Sequence, residues 1–431
     1  MSDLRVLYVA HNHPTLHPGG AEAYSLELYE AMREQPGVEP TLMARIGSNV
    51  ARRRTAHPGT PFMSVNGDPN QHFIFTETDH FDFFTLTSRD KGLYSRHLTD
   101  FLLALRPDVV HLQHTHFIGV DLLSQIRRVL PEAAIVYTLH EFLPICHRDG
   151  QMVRTFSDEL CPEASPRRCN ECFPEISPQS FFLRERFVKG HMANVDRFLA
   201  PSAQLRDKYL RWGIGEERIE VEEYGRRLDP ASRAGDPRQT KAPVNIGFFG
   251  QLSHFKGAEV MMEAMAQLDP EVDAHLWLNG ANLELQTEEF QAEFALLQEQ
   301  LRGRVTFRGP YEHHELPRLM EDLHWVLIPS IWWENSPLVI QEAFFHRRPI
   351  ISSDVGGMAE KVRDGVDGLH FRVGDPYSLA RTIEKATTNP RLWRSLREGI
   401  RDPYPMEAHV SRLMDLYGEV TEQRKGVALN A

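Results

Sequence analysis

A basic excess is what the sequence conspicuously lacks: 48 Lys and Arg stand against 60 Asp and Glu, a formal net charge of -12. A surface built for nucleic acid normally shows the opposite imbalance, so that class is set aside. Long apolar runs are missing too, and no stretch approaches the ~20 apolar residues that span a bilayer. The opening Met1-Ser-Asp-Leu-Arg passes straight into an apolar run, Val6 to Ala10, without the basic region, long apolar stretch and cleavage site of a secretory signal. A cytoplasmic location is therefore expected. Cysteine is scarce, with four in 431 residues, and in a reducing compartment these are not expected to be disulfides. There is no alignable internal repeat and no low-complexity tract. No Asp-x-Asp stands in a setting for metal-diphosphate chelation, Asp82 merely following His80-Phe81 in an aromatic stretch.

What is present is a chain too long for one hydrophobic core, so two domains of roughly 200 residues are expected. Short apolar runs alternate with helix-period segments, and the alternation occurs twice. The first half offers strands at Arg5 to Ala10, Asp108 to Gln113, Ala134 to Leu139 and Arg197 to Ala200, with helices such as Glu22 to Arg33 and Asp121 to Leu130. The second offers strands at Val244 to Phe249, Ala274 to Asn279, Val305 to Arg308, His324 to Pro329, Pro349 to Ser352 and Leu369 to Phe371. Its helices include Ala258 to Leu268, Glu288 to Leu301, His314 to Asp322 and Pro337 to Phe345. Such alternation means βαβ units on parallel sheets, an α/β protein of two Rossmann-like domains. Ligands of these sheets bind at the carboxyl ends of the strands, and a cleft between two facing domains is expected.

Gly225 to Lys241, rich in Arg, Asp, Pro and Gly, reads as the connection between domains. The expected boundaries are 1–225, 226–402 and a C-terminal helix at 403–431 crossing back to the first domain. Two regions break the period: Ile46 to about Leu93, which carries Arg52, Arg53 and Arg54, and Phe142 to Pro178, which carries every cysteine. Insertions this long inside compact domains are usually functional or disordered.

The most informative segment runs Ser330-Ile-Trp-Trp-Glu334-Asn-Ser-Pro-Leu-Val-Ile-Gln-Glu342. Ser336 reads as an N-cap and Pro337 as the first helical residue after a strand. A helix N-terminus there offers free N–H groups and partial positive charge to a phosphate. Glu334 would sit beside that phosphate. Glu342, two turns on, could accept hydrogen bonds from a diol such as ribose. Two solvated glutamates flanking a capped helix are the plainer alternative.

Glu-x7-Glu after an apolar strand is followed by Val355-Gly356-Gly357 and by Asp364-Gly-Val-Asp-Gly368. Upstream stand Gly247-Phe-Phe-Gly250-Gln251 through Lys256-Gly257, and Pro18-Gly19-Gly20-Ala-Glu22. In this order the pieces resemble the retaining glycosyltransferases of family 4 (group 1), across essentially the whole chain. The resemblance implies the GT-B fold, two facing Rossmann-like domains with a cleft between them. It implies transfer of a sugar from a nucleotide-sugar donor, UDP- or GDP-linked, to a saccharide, lipid-linked or small-molecule acceptor with retention of configuration. A sugar-nucleotide epimerase or a catalytically inactive GT-B binding subunit is the competing expectation.

The same resemblance assigns Gly19 and Gly20 to a turn that lets the backbone approach the donor phosphates. Lys256 becomes the cation on the diphosphate, and the N–H groups near Ser336, Pro337 and Leu338 the site of the departing phosphate. His140 becomes the strand-end histidine beside the transferred sugar. Gln251 stands where many relatives carry a phosphate-binding arginine, with Arg226, Arg227 or His254 as candidate compensators. No catalytic metal is implied. Of other histidines, His111, His114 and His116 gather at one strand end. Alternation puts the last two on one face if the strand continues.

Cys146, Cys161, Cys169 and Cys172 fall within 27 residues and end in Cys-x2-Cys, which suits a structural zinc; unliganded thiols and an iron-sulfur or redox role are the alternatives, and His147 an alternate ligand. Phe181 to Lys189 combines an apolar face with cations, so peripheral membrane contact is a further expectation, against simple packing on its own domain.

Overall fold

The computed structural model describes residues 3–17, 19–47, 61–65, 67–237 and 243–429, with side chains to 426. Pro18, the arginines at 52–54 and the far end of the expected connection lie outside the described residues. The chain divides into two compact units, Met1–Arg227 with Tyr404–Ala431, and Leu228–Pro403.

In the first unit, strand β1 (Leu4–Ala10) has Val6 through Ala10 buried, as befits a central parallel strand covered on both faces. Helix α1 (Gly20–Arg33) follows it, then β2 (Val38–Gly47), β3 (Phe62–Val65) and β4 (Asp68–Thr76). β5 (Val109–Leu112), α2 (Leu122–Val129), β6 (Ala134–Thr138), α3 (Pro166–Cys172), α4 (Pro178–Met192), β7 (Arg197–Ala200) and β8 (Ile219–Val221) are among the elements that follow. The sheet order is β8-β7-β6-β5-β1-β2-β4-β3, parallel throughout except for β3 against β4.

Strands β3 and β4 correct the reading of 46–93 as irregular, and β2, which ends at the start of that region, was not among the expected strands. Pro40 and Arg45 obscure β2 in the sequence, yet Arg45 is buried because its guanidinium bonds Thr76 Oγ1 and Thr78 Oγ1, both at 2.8 Å, and lies 4.5 Å over the Phe117 ring. A strand with a buried arginine is thus sustained by partners two strands away in sequence.

In the second unit, β9 (Val244–Gln251), α5 (Ala258–Ala266), β10 (Ala274–Ala281), β11 (Val305–Gly309), β12 (Trp325–Ile328), α6 (Leu338–Phe345), β13 (Ile350–Ser353), α7 (Gly356–Lys361), β14 (Gly368–Phe371) and α8 (Pro376–Thr388) alternate. The all-parallel sheet order β11-β10-β9-β12-β13-β14 is the 3-2-1-4-5-6 of a dinucleotide-type Rossmann sheet. Its core is aliphatic and Met-rich, with Met261, Met262 and Met265 of α5 on Leu276, Leu278 and Leu327.

Helix α9 (Met406–Leu429) belongs to the first unit and buries Val410, Leu413, Tyr417 and Val420, a stripe at three- and four-residue spacing. Polar pins supplement it. Tyr417 Oη lies 3.1 Å from Tyr8 Oη and 2.6 Å from His111 Nδ1. His409 bridges Tyr24 Oη and Glu222 Oε1, each at 2.7 Å.

Candidate functional site

Each sheet reverses its direction of growth once: between β1 and β5 in the first unit and between β9 and β12 in the second. Ligands of doubly wound sheets bind at the carboxyl ends beside such switch points. The residues singled out in the sequence gather at both.

In the second unit the chain leaves β9 through Gln251, makes one 3-10 turn at His254–Lys256 and reaches Gly257 at φ +73°. A Cβ at Gly257 would come within 2.0 Å of the Pro329 carbonyl oxygen just beyond β12, so glycine alone allows these two strand exits to touch. The approach places Lys256 Nζ 2.5 Å from Glu334 Oε1. Glu334 is buried, and the same oxygen accepts from Ser330 Oγ at 2.8 Å and Trp332 Nε1 at 3.0 Å. Three donors on one oxygen, one of them charged, hold a carboxylate that burial would otherwise penalise. Lys256 remains about one-third exposed, its ammonium 5.8 Å from the centroid of the Trp332 ring.

Gly356 and Gly357 fix the other side of this segment. Gly357 N–H donates to the Glu334 carbonyl at 2.6 Å, and a Cβ on Gly357 would fall 1.4 Å from the Asn335 carbonyl oxygen. The glycine pair therefore seats α7 directly against the backbone that carries Glu334. Helix α6 starts at Leu338, with Pro337 as its N-cap at ψ 122° and no side-chain cap. That corrects the expected Ser336 cap: the extended proline shifts the helix start by one residue. Glu342 is buried on α6, with His313 Nε2 3.5 Å from its Oε1.

Gln251 is exposed at the end of β9 and brings no charge. The three candidate compensators each have a carboxylate of their own unit: Arg226 with Glu27 at 3.2 Å, Arg227 with Glu34, and His254 with Glu259 at 3.0 Å.

In the first unit, Gly19 is extended at φ -162° and caps α1, which begins at Gly20 without a side-chain cap. No left-handed turn is involved; a Cβ on Gly19 would come within 2.3 Å of Glu22 Oε2. Glu22 in its first turn lies 3.1 Å from His11 Nε2. Burial alone would raise the Glu22 carboxyl, but His11, its own backbone N–H and Asn12 outweigh burial and hold it at about 2.

His140 follows β6, with Nδ1 2.6 Å from Tyr224 Oη and Nε2 3.1 Å from Gln113 Oε1. Burial keeps it well below the ordinary imidazole range, a neutral ring whose orientation two side chains fix. Strand β5 stops at Leu112, so alternation does not govern His114 and His116; the loop nevertheless brings both rings near His11, at centroid distances of 4.3 and 6.1 Å. His114 Nε2 lies 3.2 Å from Glu141 Oε1, and burial pushes the Glu141 carboxyl up to about 8. His111 is no site residue: it is fully buried, bonded to Tyr417 and to Thr138 Oγ1 at 2.8 Å.

Sequence reasoning missed His11, Gln113, Glu141 and Tyr224 in this unit, and Ser330, Trp332 and His313 in the other. His11 and Gln113 directly follow strands and Glu141 stands three residues beyond one, positions that signal them; Tyr224 and His313 carry no such mark.

The four cysteines are free thiols lining one cavity of about 20 Å³ after His140. Among the described residues no group of three or more His, Cys, Asp or Glu side chains stands disposed to hold a metal ion, so the expected zinc set is not seen as formed. On α4, Phe181, Arg184 and Val188 turn inward, while Phe182, Leu183 and Phe187 are exposed. Among the described residues no helix is long and apolar enough to cross a membrane.

Two family models match the chain: a glycosyl transferase 4-like domain over residues 19–225 and glycosyl transferases group 1 over 243–389. A D-inositol 3-phosphate glycosyltransferase 1 of Catenulispora acidiphila is 27% identical over 252 residues, 54% of this chain and 60% of that protein. The chain thus spans little more than half the length of that relative. The D-inositol 3-phosphate glycosyltransferase of Frankia alni is 24% identical over 408 residues, 89% of this chain and 91% of the other. Among solved structures, Anabaena Alr3699/HepE in complex with UDP superposes with a TM-score of 0.69 at 16% identity, covering 96% of this chain and 100% of that one. That likeness is one of fold.

Proposed function

The chain belongs to the group 1 glycosyl transferases with a GT-B fold, and on that premise we propose that it transfers a sugar from a nucleotide-sugar donor to a hydroxyl-bearing acceptor with retention of anomeric configuration. The observation that carries this reading is the Lys256–Glu334 pair at the switch point of the second unit, 2.5 Å apart. Without donor, Glu334 balances the ammonium. A diphosphate arriving at Lys256 and at the N–H groups of Ser336 and Leu338 would take over part of that charge. As the glycosidic C–O bond breaks, negative charge grows on the departing phosphate and positive charge on the sugar ring. A fixed cation and helix terminus answer the first without reorganising.

In this proposal Glu334 holds Lys256 in place beside the reacting sugar, Glu342 accepts from the ribose hydroxyls, and Gln251 adds an uncharged donor. Gly19 and Gly20 open the first unit's α1 N-terminus to the donor. His140, a neutral imidazole held by Gln113 and Tyr224, contacts a sugar hydroxyl. The four cysteines stand outside the transfer chemistry, as a structural element of the first unit.

UDP- and GDP-linked sugars are the proposed donor class; HepE was crystallised with UDP, which supports the first. For the acceptor, the relatives named for inositol 3-phosphate support a small phosphorylated polyol, and saccharide or lipid-linked acceptors of polysaccharide synthesis in the cytoplasm are the wider class. Exposed Phe182, Leu183 and Phe187 on α4 support peripheral membrane contact. The test is incubation of purified protein with UDP- and GDP-sugars and a panel of these acceptors, with the product anomer read by NMR. A product sharing the donor's anomeric configuration is expected; an inverted product, or an altered nucleotide sugar formed without acceptor, overturns the reading.

A further inference from the structure

Arg184 is a buried cation in need of a counter-charge. On α4 it is 4% exposed, and its guanidinium donates to the carbonyls of Phe84 at 2.7 Å, Leu143 at 2.9 Å, Pro144 at 3.0 Å and Ile145 at 3.4 Å. Carbonyls satisfy its N–H groups but carry no formal charge. Among the described residues no carboxylate forms an ion pair with it, and a buried cation in that condition is costly. Cys146 and Cys169 lie within electrostatic reach of it, as do Glu141 and Glu185.

The other two thiols have basic neighbours as well. Arg154 lies within electrostatic reach of Cys161 and Cys172, and Arg168 within reach of Cys161. All four cysteines line one cavity of about 20 Å³, which is room for one atom of water size. The segment around them has little else to hold it. Helix α3, which bears Cys169 and Cys172, buries none of its residues.

We propose that Cys146, Cys161, Cys169 and Cys172 hold one zinc ion in this cavity as a closed tetrathiolate site. Four thiolates and Zn²⁺ leave a net charge of two minus, and Arg184, with Arg154 and Arg168 at the rim, supplies the compensation. A four-sulfur tetrahedral set suits zinc, and a full shell leaves no open position for water, so the ion is structural. The thiols as they stand are not disposed as a ligand group; binding rotates them onto the cavity and expels four protons. The ion ties Cys146, six residues beyond His140, to α3.

The test uses the full chain purified under reducing conditions, then incubated with equimolar zinc and desalted. About one zinc per chain is expected by elemental analysis. Native thiols should resist titration until a mercurial releases the ion, which a chromophoric chelator counts. Cys172→Ser should lose most of the zinc and Cys172→His should keep it. A zinc ratio near zero with four titratable thiols, a pair of disulfides by mass spectrometry, or bound iron with visible absorption would each overturn the proposal.

Discussion

At the scale of single residues, the two glutamates of the second unit differ in what surrounds them. Glu334 Oε1 is saturated by Lys256, Ser330 and Trp332, whereas Glu342 faces the exposed His313. Glu334→Gln should therefore lower kcat chiefly, by loosening the lysine proposed to meet the developing charge. Glu342→Gln should chiefly raise the donor KM, which steady-state kinetics on both variants would show. Equal, small effects would reduce the segment to an ordinary helix entry. Glu22 gives a pH prediction. Its carboxyl is held at about 2 in the folded chain against an ordinary value of 4.5. The group binds fewer protons folded than unfolded, so its stabilisation is present above pH ~4.5 and is lost as pH falls toward ~2. Its ceiling is on the order of 3 kcal/mol. Acid unfolding of Glu22→Gln should show a flatter dependence across that window.

At the scale of elements, glycines decide how closely segments meet. Gly357→Ala would drive a Cβ into the Asn335 carbonyl, a backbone clash that no rotamer relieves. We expect a loss of about 3 kcal/mol or more, measured by denaturant unfolding, with donor binding falling alongside because the Glu334 backbone moves. Here the sequence was legible in one respect and opaque in another. The Gly356-Gly357 pair marks a close approach on inspection, but which backbone it approaches is a matter of tertiary structure. The strands show the same division. β7 was readable to the residue, Arg197–Ala200, since its apolar run is short and sharply bounded. β2 was hidden because a proline and an arginine interrupt its pattern and the arginine's partners, Thr76 and Thr78, lie over thirty residues away. The helix at 337–345 was found but its cap misplaced, as local signals often fail by one residue at a terminus.

At the scale of the whole molecule, the order of weak motifs carried more than any one of them. Lys256-Gly257, Glu-x7-Glu and Gly356-Gly357 are separately unremarkable, yet the 3-2-1-4-5-6 sheet brings the first two to one switch point and seats the third against them. The histidines show the limit of that legibility. His111 and His114 look alike in sequence, and only the packing of α9 reveals that one is a core group bonded to Tyr417 while the other joins His11 and Glu141 at the strand ends. In the proposed function a nucleotide sugar binds the second unit through Lys256. Thermal unfolding with a panel of nucleotide sugars, on the wild type and on Lys256→Ala, tests it most directly. At a hundredfold excess over Kd the matching donor should stabilise the wild type by about 2.7 kcal/mol. The variant should lose most of that shift, and with it on the order of 2 to 4 kcal/mol in kcat/KM. An equal shift in both proteins, or no response of the wild type to any nucleotide sugar, would contradict the claim.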